Sequence, residues 1–415
     1  MQLSASVDAA PTERIAIVDI LRAVALFGII VTHAALSFLA GPEPTPGFNQ
    51  FSALDKTVYD LTELLAFGKF FAVFAFLFGM SFTIQLDNAA RKGTSFAGRF
   101  AWRLTILLAI GLVHAMFFSG DVLMIYALLG FLLIPFRKRT SKTLLIVGLI
   151  LVLNLPGLLL GFAQLSAPAP SVEQQETIAQ FQAEFERKAQ EQYRIKQSGT
   201  VGEIVEMNLT DSMLNKLLFM VFSGRLWITF GYFLLGLWAG RVALFRDTES
   251  NRALFRRLLV WTGPVALVTT VMHALSDFSM NTSEATLATV VAYFVFTTQQ
   301  ATLATFIVAA LTLYYWRDPS RGLLPKLAAV GKLGLTTYLM QTMFGIALFF
   351  GVGLGMLGEM GVTASVAAGI AFFVFQIFFA HWWLRRFDLG PFEWLWRALT
   401  YFKLRPNARV QTSPA

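Results

Sequence analysis

The sequence contains no cysteine and few charged residues. Its 415 residues therefore lack the thiolates of disulfides, iron–sulfur clusters and cysteine-ligated zinc, and those protein classes are excluded. Only 14% of the residues are charged, whereas a soluble domain has about 25%. A disordered chain is excluded as well, because 56% of the residues are hydrophobic. The chain shows no dinucleotide-binding glycine motif, phosphate-binding loop, HExxH zinc motif or internal repeat, and no metal site is predicted.

The chain is instead rich in apolar and aromatic residues, with 41 phenylalanines. A membrane-spanning helix needs about 20 mostly apolar residues. Ten segments meet that requirement: 15–39, 64–86, 101–118, 121–137, 143–165, 215–241, 258–276, 286–315, 326–350 and 364–386. The sequence therefore predicts an all-α, polytopic bundle of about ten transmembrane helices. Gln299 and Gln300 interrupt the long segment 286–315, so a tilt, a kink or a break is expected there.

The distribution of Lys and Arg predicts the orientation in the membrane. With a cytoplasmic N-terminus, the short inside loops hold the basic residues, as in 137–142, and the short outside loops are acidic or neutral. Both termini are then cytoplasmic, and the net charge of +8 belongs to the inner loops, so no nucleic-acid binding is predicted. Residues 1–14 lack the features of a secretory signal, so the first apolar segment is expected to remain as a span.

The predicted spans and their orientation divide the chain into five parts. They are a cytoplasmic N-terminus (1–14), an N-terminal five-helix membrane half (15–165), an outer, periplasmic loop with an amphipathic helix (166–213), a C-terminal five-helix membrane half (214–402) and a disordered cytoplasmic tail (403–415). The helix of the outer loop has two interpretations. It either lies on the outer membrane surface or forms a lid over a site.

Several ionisable residues stand inside the predicted spans, where each costs roughly 2.5–3.5 kcal/mol and is a functional candidate. Asp19 and Arg22 are three residues apart on one helix and can pair. His33 follows Arg22 by eleven residues, about 20° from the same helical face. The pair and the histidine either stabilise packing or belong to a site in which the imidazole acts as a base.

The turn between the third and fourth spans brings a second histidine near a carboxylate. Ser119-Gly120-Asp121 is a turn sequence, Asp121 can cap the fourth span, and His114 lies about one turn before it. Such a pair is either a helix cap that bonds a histidine, or a base with the group that orients it.

Two further ionisable residues inside the predicted spans are cations. Lys69 lies about one turn inside the outer boundary and either extends to the surface or points into the bundle. Arg225 is about ten residues into the sixth span and needs an anionic partner, for which Asp121 or a substrate anion is a candidate. His33, Lys69, His114, Asp121 and Arg225 all fall in the outer half of the bilayer, which predicts a shared polar cavity.

These residues stand in motifs that resemble those of the YeiB-type family of bacterial membrane proteins. The motifs are Asp19, Leu21, Arg22 and Gly28-Ile29-Ile30; Lys69-Phe70 and Leu77-Phe78-Gly79; Gly111, His114, Gly120-Asp121, Leu123 and Tyr126; Gly334-Leu-Thr-Thr-Tyr338-Leu-Met-Gln341; and Gly390-Pro391-Phe-Glu393-Trp394 through Thr400. The resemblance covers nearly the whole chain, and the C-terminal half resembles the family's domain of unknown function. The chain departs from the family pattern at His33, where the family has Asn, at Ala23, where it has Gly, and at Phe118-Ser119.

The first span also resembles a wider group of membrane acyltransferases, including sugar O-acyltransferases and the heparan glucosaminide N-acetyltransferase group. This resemblance implies that acyl-CoA, with acetyl-CoA as the first candidate, donates its acyl group from inside to a sugar or lipid of the cell envelope outside. It implies a location in the bacterial inner membrane, among membrane lipids, and leaves an oligomer open.

On this hypothesis His33 is the catalytic base, with His114 and Asp121 as a second base pair or as orienting groups. Arg22 and Asp19 lie near the CoA phosphates. The predicted substrate-binding residues are Lys69, Arg225, Tyr126 and Gln341. Two alternatives remain: a transporter or exporter of a small anionic or lipid-like substrate, and a structural or sensory membrane subunit.

Overall fold

The computed structural model describes residues 15–39, 52–91, 96–168, 171–276, 286–404 and 406–408. Within them the chain forms helices numbered α1 to α17. Helices α1 to α7 are Ala16–Ala35, Ala53–Leu65, Lys69–Arg91, Phe96–Phe117, Leu123–Phe136, Ser141–Val152 and Leu155–Leu165. Helices α8 to α12 are Val172–Ser198, Val201–Met207, Met213–Phe222, Arg225–Arg241 and Glu249–Ala274, with a π-helical turn Asn208–Ser212 before α10. Helices α13 to α17 are Leu287–Arg317, Leu324–Lys332, Gly334–Phe349, Val362–Leu384 and Pro391–Tyr401.

The predicted all-α membrane bundle is confirmed. Six helices of the described ranges are long and apolar enough to cross a membrane, or up to eight if each of two bent helix pairs is one span. Two shorter apolar helices are α5 and α15. Large apolar side chains such as Trp261 and Phe378 are exposed on the outer faces, as expected where a bundle meets lipid. The number of ten spans and the cytoplasmic position of both termini stay predictions.

Of the tilt, kink or break expected in the segment 286–315, the break does not occur, because α13 runs without interruption through Gln299 and Gln300. The amides instead bond outward from the helix: Gln299 Nε2 donates to the carbonyl of Leu64 (2.7 Å), and Gln300 Oε1 accepts from Arg225 (2.7 Å). Three other predicted spans break instead: 143–165 between α6 and α7, 215–241 between α10 and α11, and 326–350 between α14 and α15 at Leu333.

Glycines allow the central helices to touch backbone to backbone. Gly79 of α3 and Gly236 of α11 face each other, and a Cβ on either would collide with a backbone carbonyl oxygen of the opposite helix, that of Phe233 or Phe76. Apolar side chains such as Phe82 and Leu237 fill the space around this crossing. Gly331 of α14 meets the carbonyl of Asp19 on α1 in the same way.

The end of α8 packs onto the turn between α4 and α5. The first half of α8 is exposed, whereas Lys196 near its end is buried and donates to Ser119 Oγ (3.4 Å). The amide of Gly351, after α15, donates to the carbonyl of Lys196 (2.9 Å), and Asn208 Nδ2 donates to the carbonyl of Met116 on α4 (3.0 Å). The end of α8 and the residues after it thus cover the α4–α5 turn, whereas the N-terminal part of α8 is exposed on the surface. The outer position of this segment and its role as a lid stay predictions.

Substituting Gly236 by Ala should destabilise the α3–α11 crossing by about 1–3 kcal/mol, because the added methyl must displace a rigid backbone. Gly98→Ala in α4 is the matched control, since no atom lies within 4 Å of its added Cβ, and it should be neutral or slightly stabilising. Thermal unfolding of the purified proteins in detergent measures both. Equal unfolding temperatures for Gly236→Ala and wild type would contradict the packing described.

Lys196 should make the protein relatively more stable as pH rises above neutral. Burial removes the hydration of its ammonium and lowers the Lys196 pKa from 10.5 to about 8. Between pH 8 and 10.5 the unfolded chain therefore holds more protons at this residue than the folded chain, so stability rises with pH through that window. The unfolding temperature of wild type, relative to Lys196→Met, should increase from pH 7 to 9.5.

Lys188→Met is the control for this experiment, because the hydrogen bond and the attraction to Asp211 raise the pKa of Lys188 instead. Lys188 keeps its proton over the same range, so wild type and Lys188→Met should show parallel pH profiles. A constant difference between wild type and Lys196→Met would show that the Lys196 ammonium is hydrated rather than buried.

Candidate functional site

The predicted pair of His114 and Asp121 is formed. His114 ends α4, and its Nδ1 lies 2.7 Å from Asp121 Oδ1. Asp121 also caps α5 as expected, accepting from the amides of Leu123 (3.0 Å) and Met124 (2.9 Å). The carboxylate is fully buried and acts as acceptor, so the histidine Nδ1 is the donor, and in the neutral imidazole Nε2 then has a lone pair that accepts.

The group that meets Nε2 is Thr342, which the sequence did not reveal. Its Oγ1 lies 2.8 Å from His114 Nε2, and the residue is buried in the middle of α15. A threonine in a helix commonly bonds back to its own backbone, as Thr312 does to the carbonyl of Val308 (2.7 Å). Thr342 donates to the histidine instead. Hydroxyl, imidazole and carboxylate thus form the chain that activates a nucleophile in hydrolases and acyl transferases.

Tyr338 lies one turn before Thr342 on the same face of α15. Its ring centroid is 5.2 Å from that of His114, and its hydroxyl accepts from the amide of Val122 (3.3 Å). Tyr338 also lines a cavity of about 260 Å³, which extends from Tyr338 and Leu123 to Arg22 of α1. His114, Asp121 and Thr342 are not among its lining residues. The polar residues of its far end are Arg22, Ser81, Gln85, Arg103, Lys332 and Glu393. Its middle is apolar, with Phe74, Phe78 and Leu107.

Arg22 is paired with Asp19 as predicted, with 2.7 Å between its guanidinium and Oδ1. The same guanidinium donates to the carbonyl of Gly331 (3.2 Å) and to Ser81 Oγ (3.4 Å), so it ties α1 to α14 and α3. About a fifth of the side chain stays accessible, and it faces the cavity. A guanidinium that is partly accessible at a cavity can also donate to an anionic ligand there.

Arg103 is a second cation at this end that the sequence did not single out. It stacks 4.4 Å from the Trp396 ring, and its buried Nε has no hydrogen-bond partner in the described ranges. Nearby, Glu393 of α17 accepts from the amides of Leu335 (2.7 Å) and Thr336 (3.0 Å) and so caps α15. The two C-terminal motifs therefore bind each other, and they form the end wall of the cavity.

His33 lies in the last turn of α1 and is partly exposed. Among the described residues, its ring stacks on Phe38 (5.4 Å between centroids) and meets Phe118 edge-on (5.2 Å). Phe118 also touches His114, at 5.9 Å. The structure therefore brings the two histidines to one place, on a shared aromatic ring, and it does not join them by a hydrogen bond.

The other candidates lie apart from His114. Lys69 donates to the backbone carbonyl of Glu63 (3.0 Å), and Arg225 donates to Gln300 Oε1 (2.7 Å), so the partner of Arg225 is an amide rather than Asp121. Within the described ranges no hydrogen bond or ion pair links either cation to His114 or Asp121. The expected polar cavity is thus two groups of polar residues rather than one.

The last two predicted substrate residues differ in position. Tyr126 lines the cavity, and its hydroxyl donates to the carbonyl of Phe71 (3.3 Å). Gln341 does not line it, because its amide donates to the carbonyl of Leu26 (3.2 Å) and to Gln376 Oε1 (3.1 Å) between helices. No group of three His, Asp or Glu side chains suited to a metal occurs in the part of the chain that the structure describes.

Comparison with known proteins agrees with the motifs. Residues 239–403 match the family model described as a protein of unknown function, DUF418. The chain is 30% identical to "Uncharacterized protein YxaH" of Bacillus subtilis, with 96% of each chain covered. It is 28% identical to "Uncharacterized protein YeiB" of Escherichia coli, with 94% of this chain and 96% of the relative covered. The chain therefore belongs to the YeiB-type family of multi-pass membrane proteins.

Proposed function

We propose that the protein is an acyltransferase of the bacterial inner membrane that moves an acyl group from cytoplasmic acyl-CoA to a hydroxyl or amine on the outer side. The observation that carries the proposal is the hydrogen-bonded chain Thr342–His114–Asp121. The chain adjoins one end of the cavity through Leu123, whose amide binds Asp121, and through Tyr338, whose ring packs on His114. At the other end are the cations that would hold the CoA phosphates, Arg22, Arg103 and Lys332. The apolar middle suits the uncharged arm of the donor.

The first half-reaction acylates Thr342. The imidazole Nε2 of His114 takes the hydroxyl proton as Oγ1 attacks the thioester carbonyl, and Asp121 stabilises the imidazolium that forms. The carbon–sulfur bond then breaks, and the CoA thiolate receives the proton from His114. Thr342 is chosen over the acceptor as first nucleophile because its proton is the one within hydrogen-bond reach of the base.

The second half-reaction passes the acyl group to the acceptor. An acceptor hydroxyl or amine gives its proton to His114 Nε2 and attacks the ester carbonyl, and the Thr342 oxygen leaves and recovers that proton. His33, held on Phe118 beside His114, would orient the acceptor. His114 therefore takes the role of base that the sequence favours for His33, because His114 is the histidine with an orienting carboxylate.

The covered outer end supports a reaction that excludes water. Lys196 of the outer segment bonds Ser119, and Lys216 of α10 donates to the backbone carbonyl of Asp121. Both residues lie over the turn that carries Asp121. An acceptor would enter beneath this cover, and the cover would keep water from hydrolysing the acyl threonine.

Transport of a small anionic or lipid-like substrate is the second candidate. It is favoured by the 69° bend between α10 and α11, because transporters place substrates at discontinuous helices of this kind. An acyltransferase releases free CoA when acyl-CoA and acceptor are both present. A transporter shows substrate-dependent flux and no CoA release.

Acyl-CoA should stabilise the purified protein in detergent in a saturable manner. Titration with acetyl-CoA and longer acyl-CoAs, followed by thermal unfolding, measures the affinity. Arg22→Ala should weaken it by about tenfold or more, since one charge-assisted hydrogen bond is worth roughly 1.5–3 kcal/mol. Arg256→Ala, an exposed arginine of α12, is the matched control and should leave it unchanged. A flat response to every acyl-CoA would instead favour the transporter.

Thr342→Val should abolish acyl transfer, with a loss of about 10³-fold or more, because no hydroxyl remains to accept the acyl group. Thr342→Ser should retain activity. Acetyl-CoA without acceptor should add one acyl group to wild type, located at Thr342 by peptide mass spectrometry. Thr312→Val, a buried threonine that bonds its own helix, is the control and should behave as wild type. Full activity of Thr342→Val would refute the acyl-threonine step while leaving direct transfer open.

A further inference from the structure

Lys69 is a fully buried cation without an ionic partner at hydrogen-bonding distance. It is the first residue of α3, and none of its surface is exposed. Its Nζ donates to the backbone carbonyl of Glu63 (3.0 Å). The carboxylate of Glu63 attracts it, but no ion pair within 4 Å joins the two in the described ranges. The sequence left open whether Lys69 extends to the surface, and the structure shows that it points inward.

Arg225 is a second buried cation beside it. The guanidinium donates to the neutral Gln300 Oε1 (2.7 Å) and lies 5.6 Å from the centre of the Phe296 ring. Lys69 and Arg225 are near enough for their charges to repel each other, and His273 is near enough to interact with Lys69. Two buried cations in mutual repulsion are costly unless an anion lies with them.

The backbone adds positive potential at the same place. Helix α10 ends at Phe222, the chain bends by 69°, and α11 begins at Arg225. The residue before α11, Gly224, has φ 65° and no side chain, so the first amides of this 17-residue helix have no side-chain cap. A helix N-terminus of this kind attracts anions through its free N–H groups and its dipole.

Gln300 contributes a donor that lacks an acceptor. Its Oε1 is used by Arg225, whereas its Nε2 is buried and has no hydrogen-bond partner in the described part of the chain. Gly68, with φ 80°, makes room for this amide, because a Cβ there would lie 2.5 Å from it. An unpaired buried N–H group costs about 1–3 kcal/mol, which a bound acceptor would recover.

We propose that Lys69, Arg225, Gln300 and the N-terminus of α11 bind one small monovalent anion, of the size of chloride or formate. These four groups donate hydrogen bonds or carry positive charge, which is the chemistry that recognises such an ion. The nearby Glu63 carboxylate is not within 4 Å of Lys69 Nζ and offsets part of the positive charge. The site is separate from the Thr342–His114–Asp121 chain and does not depend on the proposed acyl transfer. Its ion would neutralise the junction of α3, α11 and α13.

The test uses full-length protein in detergent, in sodium gluconate at constant ionic strength. Chloride, bromide or formate replaces gluconate in steps, and the unfolding temperature is followed. Wild type should show saturable stabilisation by at least one of these ions. Lys69→Met and Arg225→Met should weaken the apparent affinity at least about tenfold. Lys56→Met, an exposed lysine of α2 paired with Asp60, is the matched control and should respond as wild type.

The choice of ions also identifies the ligand: a response to formate alone indicates a carboxylate site, and a response to all three indicates a site for any small anion. No response of wild type, or an equal response of wild type, Lys69→Met and Arg225→Met, overturns the proposal. If neither variant folds, crystals of wild type grown in bromide decide. An anomalous scattering peak between Lys69 and Arg225 supports the site, and its absence overturns it.

Discussion

The buried carboxylate of Asp121 joins the helices at one end of the bundle, because it bonds to two of them directly. It accepts two amides of α5 and the imidazole of His114 on α4. The imidazole in turn holds Thr342 of α15, and Lys216 of α10 binds the backbone carbonyl of Asp121. In lipid no water can replace these partners, so each bond constrains the position of a helix. The geometry of the candidate site is therefore a consequence of how the bundle closes.

The N-terminus of α15 is also held by hydrogen bonds. Glu393 accepts from two amides and from the hydroxyl of Thr336, which anchors the N-terminus of the helix. Since a helix is rigid over this length, anchoring its start determines the height of Tyr338 and Thr342 relative to His114. The C-terminal motif beginning Gly390-Pro391 thus acts on the site at a distance. This explains in physical terms why two motifs far apart in the chain belong to one structural unit.

The sequence predicts correctly the features that depend on interactions between residues close together in the chain. Apolar runs predicted the bundle, the spacing of Asp19 and Arg22 predicted their pair, and the short turn predicted that His114 meets Asp121. Thr342 was missed because it is 228 residues from its partner, and a threonine in an apolar helix carries no sign of the direction of its hydroxyl. The partner of Arg225 was missed for the same reason. Gln299 and Gln300 left a tilt, a kink or a break open in their segment, because the sequence does not show that an amide satisfies its bonds on a neighbouring helix without breaking its own.

Helix α3 connects two groups of buried polar residues, because it begins in one group and runs past the cavity that adjoins the other. In one group, around His114, the carboxylate of Asp121 is hydrogen-bonded to the imidazole and to two amides, whereas the other group holds the two cations Lys69 and Arg225. Helix α3 begins at Lys69 and further along lines the cavity with Phe74 and Phe78, and it packs through Gly79 on α11. Charge repulsion at its first residue therefore acts on the same rigid element that forms a wall of the cavity. An anion that relieves this repulsion would fix the α3–α11 crossing, and with it the position of the cavity wall at Phe74 and Phe78.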